Sequence, residues 1–308
     1  MKGRIAITPR SMSQEAHPDL APLTGRGYEL IFPSPGRQPS EAELFDQLPG
    51  CVGYLAGVEP VSRRVIEASA SLRVISRNGV GIDNIDVAAA AERGIAIERA
   101  LGANTRGVAE LALTLMLCGV RHVAWSDKVL SAGEWRRRKG REIQGRTIGI
   151  VGCGAIGRAL AELCLAIGMK AVGYDPFLDT NSPVNANLRM VSLQELFAVS
   201  DAISLHCPPA DKALIDDTAL AAMRPSVVIV NTARAELVDD AAMLDALDSG
   251  KVSAFATDVF HAEPPSMTQL LRHEHTILSP HAGGFTDESV ERATRIAVGN
   301  LLRRLDAA

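Results

Sequence analysis

TIGIVGCGAIGRALAELCLAIGMKAVGYD, residues 147–175, contains two kinds of apolar pattern. The run Ile148–Val151 is short and apolar, which is typical of a buried strand. Residues 158–167 then repeat apolar positions at the spacing of a helix, and a second short run, Ala171–Tyr174, ends at Asp175. The stretch therefore predicts a strand, a turn, a helix and a second strand.

The turn between the first strand and the helix has the sequence G-x-G-x-x-G, made by Gly152, Cys153, Gly154, Ala155, Ile156 and Gly157. The first glycine permits a tight turn, the second lets a pyrophosphate approach the backbone, and the third lets the helix pack closely on the strand. Phosphates would meet the free N–H groups at the helix N-terminus. Such a glycine pattern also occurs in ordinary turns, but the strand, the helix and the later acid together predict a dinucleotide site.

Asp175 stands at the end of the second strand, eighteen residues beyond Gly157. A carboxylate at this place can accept hydrogen bonds from the hydroxyls of the adenosine ribose. It would repel the additional 2′-phosphate of NADP, because the two groups carry like charge. The sequence therefore predicts NAD as the cofactor, in preference to NADP.

The composition suits a globular protein of about two domains. The chain has 308 residues, of which 47% are hydrophobic and 22% charged. Aromatic residues make up only 4%, so small aliphatic side chains fill the core, as in parallel strands covered by helices. The net charge of −4 gives no general attraction to nucleic acid or to an anionic membrane, and we predict neither as a partner.

The five cysteines show no C-x-x-C pair, and their odd number argues against a disulfide framework. Met1–Arg4 leads directly into an apolar run without a signal peptide. We therefore expect a reduced, cytoplasmic protein.

Two further motifs invite a functional interpretation. In His273-Glu274-His275 the two histidines would lie on opposite faces of a strand, and no other ligand pattern accompanies them, so we predict no metal site. The basic run Trp135–Arg141 is too short, on an acidic chain, to indicate nucleic-acid binding. We interpret it as solvated surface.

Outside residues 147–175, strands alternate with helices, which predicts parallel α/β sheets. We expect one long helix over Asn104–Ala132 and a polar loop over Asp179–Asn187. Ligands bind such sheets at the carboxyl ends of the strands. At these ends we expect the cofactor to contact His206, Cys207, Pro208, Thr232 and Ala233.

Three residues at strand ends suit hydride transfer between an alcohol and a nicotinamide. A base of near-neutral pKa must take the hydroxyl proton, and a carboxylate should orient this base. A planar cation should hold a substrate carboxylate. The sequence supplies His281, Glu263 and Arg234, one of each type.

With these residues the chain resembles the D-isomer-specific 2-hydroxyacid dehydrogenase family, of the phosphoglycerate dehydrogenase type. The motifs follow the family's order and span nearly the whole chain. In addition to the glycine turn they are RNGVGIDNID (77–86), NTRGVAEL (104–111), LHCP (205–208), NTARAELVD (231–239), DVFHAEP (258–264) and SPHAGG (279–284). The resemblance implies an NAD-dependent D-2-hydroxyacid dehydrogenase.

The resemblance also implies roles for single residues. His281 would be the acid/base paired with Glu263, and Arg234 would bind the substrate. Asp258 would hold the nicotinamide carboxamide, and Gly283 would also contact the cofactor. The substrate carboxylate would lie against the backbone amides of Asn78, Gly79, Val80 and Gly81, since a glycine-rich turn exposes successive N–H groups. Arg10 and Arg77 could bind a second anionic group of the substrate, such as a phosphate, or they could be solvated surface charges. The sequence leaves these two alternatives open.

For the architecture, the resemblance implies a flavodoxin-like substrate-binding domain of residues 1–99 and 282–308, and an NAD-binding Rossmann domain of residues 100–281. A dimer contact would involve Asn104–Ala132 and the Trp135 loop. The alternative to the dehydrogenase function is a non-catalytic NAD-sensing scaffold, as in corepressors of this fold. One departure from the family pattern is Ala235, since a glycine usually follows the arginine, and a changed substrate preference would be its consequence.

Overall fold

The computed structural model describes residues 2–14, 17–178 and 188–307, and the predicted polar loop 179–187 lies outside them. The elements of the first third are β1 (Arg4–Ile7), α1 (Arg10–Ser13), α2 (Ala21–Gly25), β2 (Glu29–Ile31), α3 (Glu41–Gln47), β3 (Cys51–Ala56), α4 (Arg63–Ala68), β4 (Val74–Arg77), α5 (Val87–Glu92) and β5 (Ala96–Arg99). Then follow α6 (Thr105–Arg121), α7 (Val123–Ser131), β6 (Thr147–Val151), α8 (Ala155–Ala166), β7 (Lys170–Tyr174), β8 (Leu188–Met190), α9 (Leu193–Val199), β9 (Ala202–Leu205), α10 (Asp217–Ala222), β10 (Val227–Asn231), α11 (Asp240–Asp248), β11 (Val252–Thr257), α12 (Gln269–Arg272), β12 (Thr276–Leu278) and α13 (Asp287–Asp306).

The chain divides into two compact units, each with one parallel sheet. The first unit comprises Met1–Asn104 and Asp287–Ala308, and the second comprises Thr105–Thr286. The strand order is β2-β1-β3-β4-β5 in the first unit and β12-β11-β10-β9-β6-β7-β8 in the second. These are the flavodoxin-like and dinucleotide-binding strand orders, the latter with one additional strand. The prediction of two parallel-sheet α/β domains is confirmed.

In the first unit, apolar side chains cover both faces of the sheet, because parallel strands are covered by helices on both sides. The last helix, α13, lies against β3 at Gly53. A Cβ atom at this glycine would stand 3.2 Å from Leu305 and 3.3 Å from Leu301. The missing side chain thus allows the helix to approach the strand closely.

In the second unit, the central strands are mostly apolar and buried on both faces. All five residues of β10 are buried, as expected for a strand between β9 and β11. At Gly149 in β6, a Cβ atom would stand 2.3 Å from the hydroxyl of Ser200. This strand therefore packs against the chain after α9 only because it carries a glycine there.

The prediction of one long helix over residues 104–132 is wrong. The segment forms two helices, α6 and α7, whose axes meet at 64°. His122 between them has a φ of 54°, a left-handed conformation that cannot continue a right-handed helix. Among the described helices, none alone is long and apolar enough to cross a membrane, although the bent pair passes on length and composition.

The interpretation of the basic run as solvated surface is wrong for Arg138. Its guanidinium lies 4.0 Å from the centre of the Trp125 ring and 2.7 Å from a carboxylate oxygen of Glu274. One of its nitrogens also lies 3.2 Å from Nδ1 of His275. The basic run and the His-Glu-His motif therefore meet each other, and their shared contacts fix the chain after α7 to the second unit.

Candidate active site

The glycine turn of the second unit lies between β6 and α8. Gly152 has a φ of 92°, and a Cβ atom there would stand 2.6 Å from the backbone of His206. A Cβ at Gly157 would stand 2.1 Å from the carbonyl oxygen of Gly152, so both positions require glycine. At Gly154, by contrast, a Cβ would meet no atom of the described residues within 4 Å. This open side of the turn is the side that a ligand can approach closely.

The turn presents unoccupied backbone donors to such a ligand. Gly154 is the N-cap of α8 and forms no side-chain cap, and Ala155 and Ile156 begin the helix. The first N–H groups of a helix have no partner within it and favour an anion. The geometry therefore fits the pyrophosphate of a dinucleotide.

Asp175 follows β7, the strand next to β6. One carboxylate oxygen accepts a hydrogen bond from Cys153 N–H at 3.0 Å, and the other accepts one from Phe177 N–H, also at 3.0 Å. The side chain thus fixes the glycine turn in addition to standing at the predicted ribose position. Because each carboxylate oxygen can accept more than one hydrogen bond, these contacts leave acceptor capacity for ribose hydroxyls.

His206 and Thr232 contribute buried polar atoms at the ends of the neighbouring strands β9 and β10. His206 donates its N–H to the carbonyl of Val151 at 2.7 Å, and its Nε2 lies 2.9 Å from the hydroxyl of Ser204. Within the described residues, Nδ1 of His206 and Oγ1 of Thr232 have no partner. Buried polar atoms are normally hydrogen-bonded, so these two fit a site that a bound molecule completes.

Burial shifts the pKa values of two side chains at this edge of the sheet, His206 and Cys207. It lowers the pKa of His206 to about 4, so the imidazole is neutral near pH 7. It also raises the pKa of the Cys207 thiol, which argues against a nucleophilic role. The predicted cofactor contacts Pro208 and Ala233 lie beside these residues, the proline exposed and the alanine buried.

Arg234 follows β10 in an extended conformation, with a φ of −146°. Asn231, the last residue of the strand, fixes this turn. Its Oδ1 accepts a hydrogen bond from Ala233 N–H at 3.0 Å, and its Nδ2 donates to the carbonyl of Arg234 at 2.7 Å. Ala235 begins a short 3-10 turn and is not among the described residues with positive φ. This position therefore does not need the conformational freedom of the glycine that the family usually has.

Glu263 and His281 are in direct contact. Nδ1 of His281 lies 2.8 Å and 2.9 Å from the two carboxylate oxygens of Glu263, and both side chains are about half exposed. The contact leaves Nε2 as the ring nitrogen that can exchange a proton with a ligand. His281 has a φ of 52°, a conformation that is unusual for a residue other than glycine.

Asp258 fixes the chain that carries His281. It is 2% exposed, and its two oxygens accept hydrogen bonds from Ala282 N–H at 2.8 Å and Gly283 N–H at 2.9 Å. The charged carboxylate thus stabilises the backbone directly after the left-handed histidine. A contact of Asp258 with the nicotinamide remains a prediction.

Sheet order brings the three predicted catalytic residues to one edge of the second unit. Arg234 follows β10, Glu263 comes after β11, and His281 comes after β12, which are three neighbouring strands. Because all strands are parallel, their carboxyl ends meet at the same edge as the glycine turn. Sequence reasoning gave Asn231 no role of its own, although this residue begins the motif NTARAELVD, and it missed Ser204. A polar residue within an otherwise apolar strand was the available signal for Ser204.

The predicted substrate amides lie in the first unit, after β4. Two of the four are engaged: Asn78 N–H donates to the carbonyl of Ala56 and Gly79 N–H to that of Arg77, both at 2.8 Å. Among the described residues, the N–H groups of Val80 and Gly81 have no hydrogen-bond partner. These two amides are therefore the ones without a partner inside the first unit, and the substrate contact of all four remains a prediction.

Comparison with known proteins shows to which family the chain belongs. Residues 113–283 match the model described as "D-isomer specific 2-hydroxyacid dehydrogenase, NAD binding domain". The chain is 40% identical to a hydroxypyruvate reductase of Thermotoga maritima, over 80% of this chain and 81% of that protein. It is 39% identical to a D-3-phosphoglycerate dehydrogenase of Methanocaldococcus jannaschii, over 80% of this chain but 48% of that protein. The chain thus spans about half the length of several relatives that it matches.

A solved structure gives the same result for the fold. The crystal structure of a glyoxylate reductase from Paecilomyes thermophila superimposes with a TM-score of 0.86, at 30% identity, over 99% of this chain and 96% of that one. The resemblance stated from the sequence motifs is confirmed, and the NAD-binding description of the matched domain confirms the predicted cofactor.

Proposed function

Because the chain belongs to the D-isomer specific 2-hydroxyacid dehydrogenase family, we propose that it reversibly oxidises a D-2-hydroxy acid to the 2-oxo acid with NAD. The observation that carries the proposal is the contact of Glu263 with His281 at the edge that also holds Arg234 and the glycine turn. An acid/base, its orienting carboxylate and a planar cation are the three protein groups that this reaction needs.

A bound nicotinamide cofactor would supply the hydride acceptor in oxidation and, in its reduced form, the hydride donor in reduction. In oxidation, neutral His281 takes the hydroxyl proton at Nε2, and in reduction the protonated ring gives it back. Glu263 holds the ring through Nδ1 and stabilises its cation. Arg234 binds the substrate carboxylate, which orients the reacting carbon.

We assign the cofactor to the second unit, and the amides of Val80 and Gly81 in the first unit are donors suited to a carboxylate. Open backbone donors in a glycine-rich turn support this assignment, since such turns bind anions. The five thiols of the described chain are all free, which supports a reducing, cytoplasmic location.

The activity is tested by NADH consumption with glyoxylate, pyruvate, hydroxypyruvate and 3-phosphohydroxypyruvate, together with NADH affinity by calorimetry. We expect at least one 2-oxo acid to be reduced, and chiral analysis to show a D-2-hydroxy acid. A protein that binds NADH tightly but reduces none of the four would instead be the non-catalytic scaffold.

We also propose a homodimer through α7 and the chain after it. Val123, Leu130 and Trp135 are 51%, 59% and 84% exposed, an unusual concentration of apolar surface on adjoining segments. Trp135→Ser should weaken dimerisation in sedimentation equilibrium. Phe177→Ser, which removes another aromatic residue with 89% exposure, is the matched control and should leave the mass unchanged. A monomeric wild type would contradict the proposal.

A further inference from the structure

The second unit contains a cavity that the proposed chemistry does not use. Residues of β10, β11, α11 and α12 line it, and its volume is about 180 Å³. Its wall is largely apolar, and the most buried apolar side chains, each at most 5% exposed, are Val238, Phe255, Val259 and Leu270. An engineered cavity of about 150 Å³ with a similar apolar lining binds benzene. The cavity therefore has room for one six-membered ring.

The cavity lies beside the predicted catalytic residues and does not contain them. Among the described residues, none of the predicted catalytic or cofactor-binding ones lines it. Phe260 does line it, and the N–H of this residue donates to Oε1 of Glu263 at 3.4 Å. Asn231 also lines it, and its side chain is hydrogen-bonded to the backbone of Ala233 and Arg234. An occupant would therefore contact residues that position Glu263 and the turn of Arg234.

The charge of the cavity favours a cation. Asp240, the first residue of α11, contributes a carboxylate to the lining, and its side chain is 46% exposed. Nε2 of His261, which is also in the lining, lies 3.7 Å from Oδ1 of this carboxylate. The described lining residues include no lysine or arginine, so no permanent cation of the lining balances Asp240. An ammonium group in the cavity would be attracted to Asp240, and a carboxylate would be repelled.

We propose that this cavity is a second ligand site, which binds a small monocyclic amine with the ring on the apolar wall and the ammonium group at Asp240. The volume sets the single ring, and the unbalanced carboxylate sets the positive charge. Through Phe260 and Asn231, the occupant lowers the rate of the reaction from outside the predicted cofactor and substrate contacts. The effect on the rate rests on the proposed dehydrogenase function, whereas the binding of the amine does not.

Binding to the wild-type protein is the first test, with benzylamine as the probe and benzyl alcohol as its uncharged analogue of similar size. Saturation-transfer NMR titrations at equal ionic strength should give a Kd of about 1 mM for benzylamine, as expected for so small a ligand. The Kd of benzyl alcohol should be at least about fivefold higher, because it lacks the charge that Asp240 attracts. Equal affinities for the two probes, or binding of neither, would overturn the inference.

Two variants locate the probe. Asp240→Asn removes the charge and should raise the Kd of benzylamine to that of benzyl alcohol. Asp245→Asn is the matched control, since it makes the same change at an exposed position of α11 outside the lining, and it should leave both values unchanged. Ser266→Trp places a large side chain at an exposed residue of the lining and should weaken the binding of both probes by at least about fivefold. An unchanged benzylamine affinity in either folded variant would refute the assignment of the site.

The effect on the reaction is measured as oxidation of the D-2-hydroxy acid, because an amine condenses with 2-oxo acids. Saturating benzylamine should lower kcat by at least about twofold, since small displacements of catalytic groups reduce the rate. Inhibition that hydroxy acid or NAD relieves would mean that the amine enters the active site, and the inference would be wrong. Binding without any effect on kcat would also contradict it. Should no 2-hydroxy or 2-oxo acid react, the proposed function fails, and the titrations still decide whether the amine site exists.

Discussion

Nδ1 of His281 lies within 2.9 Å of both carboxylate oxygens of Glu263, although the two residues are eighteen positions apart and follow different strands. The contact orients a half-exposed histidine and leaves its Nε2 as the ring nitrogen for the proposed proton transfer. The neighbouring backbone is fixed separately, through the hydrogen bonds of Asp258 to Ala282 and Gly283. Ring and backbone are thus held by two different carboxylates.

Replacing Glu263 with Gln should lower the rate of oxo-acid reduction by at least about tenfold at pH 8. The amide keeps a hydrogen bond but no longer carries the charge that stabilises the imidazolium. The measurement is kcat/KM for oxo-acid reduction, after showing that chemistry limits the rate. A value equal to that of the wild type would mean that Glu263 does not act through His281.

Replacing Arg234 with Lys should reduce kcat/KM for the oxo acid by about a hundredfold, because lysine keeps the charge but loses the planar pair of donors. NADH affinity, measured by calorimetry, should change little. Arg224→Lys is the matched control, as the same substitution at an exposed ion pair with Asp201 in the same unit. Near-wild-type activity of Arg234→Lys would show that another residue holds the substrate carboxylate.

Replacing Asp175 with Ala should narrow the preference for NADH over NADPH by about tenfold or more, since it removes the charge that repels the 2′-phosphate. It should also weaken the binding of both cofactors, because Cys153 N–H in the glycine turn loses its acceptor. The ratio of kcat/KM for the two cofactors is the measurement. A wild type that uses NADH and NADPH equally would contradict the cofactor assignment at Asp175.

Because His206 is buried as a neutral imidazole, the folded protein should be less stable at acidic pH than at pH 7. Its pKa is about 4 when folded and near 6.5 when exposed, so the unfolded chain binds the proton more readily. The stability contributed by neutral His206 is present above about pH 6.5 and is lost as the pH falls toward 4. At pH 5 the free energy of unfolding should therefore be about 2 kcal/mol lower than at pH 7.

Urea unfolding of the apo protein at pH 7 and pH 5 measures this loss, and His206→Gln should reduce the difference. His261→Gln is the control, because that side chain is 54% exposed. Equal pH dependence of the wild type and His206→Gln would show that burial of this histidine is not linked to stability.

The sequence by itself determined the fold class, the family and the cofactor. Local patterns suffice for these: an apolar strand, the glycine turn and a helix lie within one continuous stretch, and their order is read directly from the chain. The sequence also led to the prediction of Arg234, Glu263 and His281 by residue type, because each comes after an apolar run that ends at the carboxyl edge of a parallel sheet.

Only the tertiary structure decided the features that leave no periodic pattern in the sequence. The break at His122, the packing of Arg138 on Trp125 and the hydrogen bonds of Asn231 to the Arg234 turn have no periodic signal. The same holds for Glu59, whose burial among Thr8, Tyr54 and Gly57 required the end of β1 to meet the segment of β3. A sequence shows which side chains carry charge, but the environment that fixes and balances a charge is a property of the folded chain.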